Sequence, residues 1–214
     1  MINSKGLLHA DVQDLYRKVR YSYEKIILKD SEEVELQDVE YSLWKLHYKH
    51  IDEFRKTIKK SSGNGESIKL VTTQNVGNVR RSDDKGIAGF KSFLSEATEF
   101  YQNLVVKIRK CNRLPEDSSF YKNVGSSTAV EPKKMQKCQF LCHRFLVCLG
   151  DLARYKEQYE KLDDQNHNWS VAASHYLEAT MIWPDSGNPQ NQVFSHCSFQ
   201  MNHFFNYLGT CAHS

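Results

Sequence analysis

Residues Leu36 to Lys60 read LQDVEYSLWKLHYKHIDEFRKTIKK. Leu36, Val39, Leu43, Leu46, His50, Phe54 and Ile58 succeed one another in steps of three and four. At about 100° per residue, these positions line one side of an α-helix, and this is the clearest period in the chain. Lys45, Lys49, Asp52 and Lys56 fall on roughly the opposite side and give the helix a mostly basic outer face. On its own, such a row of lysines is an ordinary solvated surface.

The same period recurs on both sides of this stretch. Upstream, Val12, Leu15, Val19, Tyr23 and Ile26 predict a helix over Asp11–Leu28, broken by the polar Asp30-Ser31-Glu32. Downstream, Ser61 to Lys85 is rich in glycine, serine, asparagine and charge. It keeps no period, and a disordered loop is expected over about 61–85. Arg80-Arg81-Ser82 inside it resembles a short basic-directed phosphorylation site. Ile87, Phe90, Leu94, Ala97, Tyr101, Leu104 and Ile108 predict a third helix over Gly86–Cys111, and a second polar loop follows over about 112–131.

A fourth helix is expected from Lys133 to about Leu162, opened by Pro132, a residue suited to a first helical turn. Met135, Leu141, Cys142, Phe145, Leu146, Cys148, Leu149 and Leu152 make its middle apolar on two sides, which places it centrally in a bundle. Arg144, Asp151 and Arg154 are the charges that interrupt it. A fifth helix is expected over Trp169–Trp183 and stops at Pro184. Leu146, Leu149, Gly150 and Ala153, then Ala172, Tyr176, Ala179 and Pro184, fit the two helices of a tetratricopeptide repeat, with a connecting loop about ten residues longer than the usual period allows. Residues 193–214 have almost no charge and no repeat pattern, and read as a divergent tail. The fold expected is all-α: an antiparallel helical bundle or solenoid of hairpins over 4–192, left incomplete.

Composition narrows the function. With 214 residues, 40% hydrophobic and 26% charged, the chain has an ordinary globular make-up. Its four prolines and ten glycines leave room for long helices. A net charge of +3 is too weak to argue for direct nucleic-acid binding, which is not expected. No run approaches the roughly 18 apolar residues of a membrane span, and the N-terminus lacks the apolar core of a secretory signal. A cytoplasmic location, with the nucleus also open, and reduced thiols are therefore expected. Cys138, Cys142 and Cys148 lie within one helical pattern, where cysteine behaves as a small buried apolar residue.

A search for chemistry comes back empty. There is no HExxH pair, Walker loop, GxSxG elbow or glycine-rich dinucleotide fingerprint, so neither catalysis nor a cofactor is expected. Cys138 and Cys142, four apart beside His143, lack the second ligand pair that a structural zinc site wants. His47 and His50 sit near or on the apolar stripe and read as satisfied, partly buried histidines rather than as ligands or bases. Arg154, with Asp151 three residues before it as an intrahelical partner, could join a lysine across a groove and hold a phosphate dianion. Periodicity does not say whether the two helices face one another.

LWKLHYKHIDEFRK (Leu43–Lys56), CHRFLVCLGDLARYKEQYEK (Cys142–Lys161) and the following HYLEATMIWPDSGNPQNQ resemble the ever-shorter-telomeres/SMG adaptor family, most closely its plant members of the SMG-seven type. The resemblance implies an N-terminal 14-3-3-like domain built around tetratricopeptide-type hairpins. It also implies a place in nonsense-mediated mRNA decay, among the mRNA decay machinery, through recognition of a phosphorylated up-frameshift helicase. Tyr48-Lys49-His50 is similar to the Tyr-Lys-Asn element of 14-3-3 proteins, and Arg154-Tyr155 within GDLARY to their Arg-Tyr pair. By that likeness Lys49 and Arg154 contact the phosphate, Tyr155 donates a hydroxyl and Lys56 is an auxiliary charge, with Arg55 a poorer substitute. The chain is expected to be a fragment that holds the anchors without the whole groove. Two other readings stay open: a truncated isoform acting only as a helical-repeat interaction module, and a factor associated with telomerase or single-stranded nucleic acid.

Overall fold

The apolar periods form helices where they run, but the buried face is not always the expected one: in the first helix Tyr16 and Ile27 are buried, while the expected Leu15 and Ile26, one position earlier, are 60% and 39% exposed. The computed structural model describes residues 6, 9–29, 36–63, 76–111, 132–160 and 167–184. Among them are five helices: α1 (Ala10–Leu28), α2 (Leu36–Gly63), α3 (Val76–Cys111), α4 (Pro132–Glu160) and α5 (Ser170–Ile182). No strand occurs among the described residues, which are all-α in architecture. The expected second loop over 112–131, the tail over 193–214 and the side chains around Ser82 lie outside the described residues.

The loop expected over 61–85 needs correcting at both ends. The backbone of 61–63 continues α2, and that of 76–85 belongs to α3. Apolar periodicity marks only the part of a helix that packs. Once the apolar stretch from Ile87 to Ile108 has nucleated α3, each added turn costs far less than the first, so the unpatterned residues 76–85 can extend it.

The chain divides into two compact units, Met1–Ala97 and Thr98–Ser214. In the first, Tyr16 and Ile27 of α1, Leu43, Ile51 and Ile58 of α2, and Phe90, Phe93 and Leu94 of α3 form the core. His47 and His50 are as buried as any of these. Each ring's Nδ1 donates to the carbonyl one turn back, Leu43 O at 2.9 Å and Leu46 O at 3.0 Å. Tyr16 packs on both imidazoles, its ring centroid 5.5 Å from His47 and 4.4 Å from His50, and His50 stacks on Phe93 at 5.6 Å. The buried stripe of α2 is therefore turned slightly from the expected one. His47 lies in the core while Val39 and Leu46 are only half-buried, because an imidazole that satisfies one nitrogen on its own helix packs like an aromatic ring. Arg20 of α1 pairs with Glu96 of α3 at 2.9 Å.

In the second unit α4 is buried nearly all round, from Leu141 through Gly150 apart from Arg144. Tyr101, Leu104, Val105 and Ile108 of α3 contribute to this core, with Tyr101 against Phe145 at 5.6 Å. α5 contributes Ala172, Tyr176, Ala179 and Ile182. His143 Nδ1 of α4 donates to Ala179 O of α5 at 3.0 Å, and Arg109 of α3 pairs with Glu178 of α5 at 2.9 Å. The approach to α5 is fixed at its start, where Asn168 N donates to Glu157 and the Asn168 side chain accepts from Ser170 N.

Candidate anion-binding site

Gly150 decides how closely α5 approaches α4. A Cβ built at this position would stand 2.4 to 2.7 Å from three ring atoms of Tyr176, a separation real atoms do not tolerate. The Tyr176 ring therefore lies directly on the α4 backbone. Its hydroxyl reaches past the helix edge and donates to Asp151 Oδ1 at 2.8 Å. That same oxygen accepts from Arg154 Nη2 at 3.2 Å, one helical turn on.

Arg154 is 13% exposed at its side chain, and Nε is buried with no hydrogen-bond partner among the described residues. Burial works against the guanidinium's charge, but the Asp151 carboxylate, helped by the Tyr155 and Tyr176 oxygens, outweighs it and raises the Arg154 pKa further. Burial first, and then the neighbouring carboxylate, push the Tyr176 phenol up as well, so it stays a donor. Arg154 also lies over the ring of buried Tyr155, Cζ 4.6 Å from the centroid. The result is a fixed, always charged guanidinium with unused donor capacity at the rim of the α4–α5 hairpin, which suits an oxyanion better than any acid–base role.

The four residues singled out in the sequence fall in two places. Arg154 and Tyr155 come together on α4 in the second unit. Lys49 and Lys56 lie on α2 in the first, both exposed. Seven residues apart, they share one face about 10 Å apart along the axis. Lys56 Nζ is engaged by Asp52 at 2.6 Å, and this hydrogen bond and charge raise its pKa. Tyr176 was legible only as a packing residue of the repeat pattern, since nothing in spacing tells that its hydroxyl closes on Asp151.

Cys138 and Cys142 place their sulfurs 4.0 Å apart in the core of the second unit. The hydrogen bond between them, together with burial, pushes the Cys138 thiol up. Among the described residues no group of three or more histidine, cysteine or acidic side chains could hold a metal, and no helix is long and apolar enough to cross a membrane.

Residues 38–160, which include all four expected site residues, match the family model described as Telomerase activating protein Est1. The chain belongs to the Est1 family. Over 194 residues this Est1-family chain is 46% identical to the nonsense-mediated mRNA decay factor SMG7-like of Arabidopsis thaliana, covering 90% of this chain and 18% of that protein. It is 35% identical over 197 residues to the nonsense-mediated mRNA decay factor SMG7 of the same plant, covering 89% and 18%. It is 28% identical over 173 residues to the telomerase-binding protein EST1A of Danio rerio, covering 80% and 10%. The family expected from LWKLHYKHIDEFRK and LGDLARY is thus the one found, and the chain spans less than a fifth of these relatives' length.

Proposed function

We propose that this chain is a phosphopeptide-binding adaptor of nonsense-mediated mRNA decay, with no chemistry of its own, that recognises a phosphorylated up-frameshift helicase. In this reading the fold is 14-3-3-like, with α4 and α5 as its tetratricopeptide-type hairpin. Arg154 and Lys49 contact the phosphate, Tyr155 supports Arg154, Lys56 is auxiliary, and the protein works in the cytoplasm and nucleus. The observation that carries it is Arg154, a nearly buried guanidinium held at one edge by Asp151 with Nε unpartnered. Buried cations with spare donors are costly unless an anion completes them.

The test is binding of a fluorescent phosphoserine peptide from such a helicase and of its unphosphorylated twin. The phosphorylated form should bind and the twin should not. Lys49→Glu and Arg154→Glu should each weaken binding about tenfold or more, the scale of losing one charge-assisted hydrogen bond and adding a repulsion. Lys56→Ala should change it by no more than about threefold, since an exposed lysine already paired with Asp52 contributes little. Equal binding of both peptides, or indifference to both reversals, refutes the reading.

A second reading, a helical-repeat module that binds proteins without regard to phosphate, draws on Val171 and Met181, which are 58% and 40% exposed on α5. It predicts that Val171→Asp and Met181→Asp abolish partner capture while Arg154→Glu leaves it intact.

A further inference from the structure

A tyrosine buried to 1% needs a reason for its hydroxyl, since phenylalanine would fill the same space without a polar group to desolvate. Tyr176 has one. Its hydroxyl donates to Asp151 Oδ1 at 2.8 Å, and that oxygen also accepts from Arg154 Nη2 at 3.2 Å. The ring cannot slide away, because it is seated on Gly150 where any Cβ would collide with it. Two donors arriving at one oxygen from different elements fix the rotation of the Asp151 carboxylate, which a single intrahelical partner would not do. The carboxylate in turn fixes which edge of the guanidinium is used internally. The packed ring on α5 therefore reaches the charged head on α4 by two routes, through the Asp151 carboxylate and by its own oxygen beside the Arg154 guanidinium.

We propose that Tyr176 is a positioning residue for anion binding at Arg154, acting through Asp151. The proposal deepens the phosphopeptide reading and rests on it for the identity of the anion. Tyr176 touches no ligand in this scheme. Its hydroxyl removes the freedom that Arg154 would otherwise lose on binding, so its contribution appears as preorganisation. Because the larger part of the effect passes through Asp151, it shrinks when Asp151 is gone.

The experiment combines peptide titration with NMR of the Arg154 side chain in the full chain. Tyr176→Phe keeps the ring on Gly150 and should leave urea unfolding cooperative. It should weaken the phosphoserine peptide about 3- to 10-fold, the effect of one hydrogen bond. It should also speed rotation about the Arg154 Nε–Cζ bond, which a purely structural role would not alter. In an Asp151→Ala background the same change should have a clearly smaller effect on both measurements. If rotation and affinity are unchanged in Tyr176→Phe, or if its effect is undiminished beside Asp151→Ala, the positioning role is wrong. If the unmodified chain fails to prefer the phosphorylated peptide, the phosphopeptide reading falls instead, and the rotation measurement still decides whether Tyr176 orders Arg154.

Discussion

Two helical glycines carry different meanings that only their neighbours reveal. At Gly150 an added methyl meets the Tyr176 ring at 2.4 Å, and neither the α4 backbone nor a ring held by its own hydrogen bond can yield cheaply. Gly150→Ala should cost about 1–3 kcal/mol, the usual range for overpacking, read as a lowered urea midpoint with unchanged slope. It should also loosen Arg154, because the ring it displaces carries the hydroxyl that holds Asp151. At Gly89 the added methyl would only touch Phe54 Cε1 at 3.6 Å, ordinary contact at an exposed position. Gly89→Ala should therefore stabilise the chain by about 0.5–1 kcal/mol, the helix-propensity difference. The repeat pattern put Gly150 on one helix of the hairpin and Tyr176 on the other, in LGDLARY and HYLEATMIW, without pairing them. The hydroxyl's destination was not legible either, because periodicity reports which face is buried and says nothing about where one polar atom ends.

At the scale of elements, the steps of three and four were a good guide wherever a helix packs. They located α1 and α5 to within a residue at each end and put α4 at the centre of its neighbours. They failed on residues 76–85, where helix persists without an apolar period, on the face of α1, which buries Tyr16 and Ile27 in place of Leu15 and Ile26, and on the exact bearing of α2. There His47 counts as core because its Nδ1 is satisfied by Leu43 and its ring packs on Tyr16, properties that a hydropathy scale assigns to no histidine. On the site, spacing identified Arg154 with its Asp151 partner and the lysine face of α2. The same rule would have paired Asp52 with Lys56, four residues apart, but the likeness to 14-3-3 proteins set Lys56 down as an auxiliary charge.

At the scale of the whole molecule, buried histidines set the response to acid. Burial pushes His47 down to about 3 and lowers His143 and His175 as well. The unfolded chain, with ordinary histidines, then binds more protons than the folded one below about pH 6.5, so stability falls as the pH falls. For His47 the loss accrues from about pH 6.5 down to about 3 and amounts to about 2 kcal/mol by pH 5. Denaturation at pH 7 and pH 5 should show it. His47→Asn, which keeps a donor near Leu43 O but cannot titrate, should flatten the slope and leave the part due to His143 and His175. The thiols offer a different kind of readout. Cys111 is exposed, whereas Cys138, Cys142 and Cys148 are buried. Among these four, an alkylating reagent should tag Cys111 first and reach Cys138, Cys142 and Cys148 only as α4 breathes open. Peptide-resolved labelling times at the three sites would then act as a stopwatch on the central helix, slowing if a ligand clamps Arg154 at its far end.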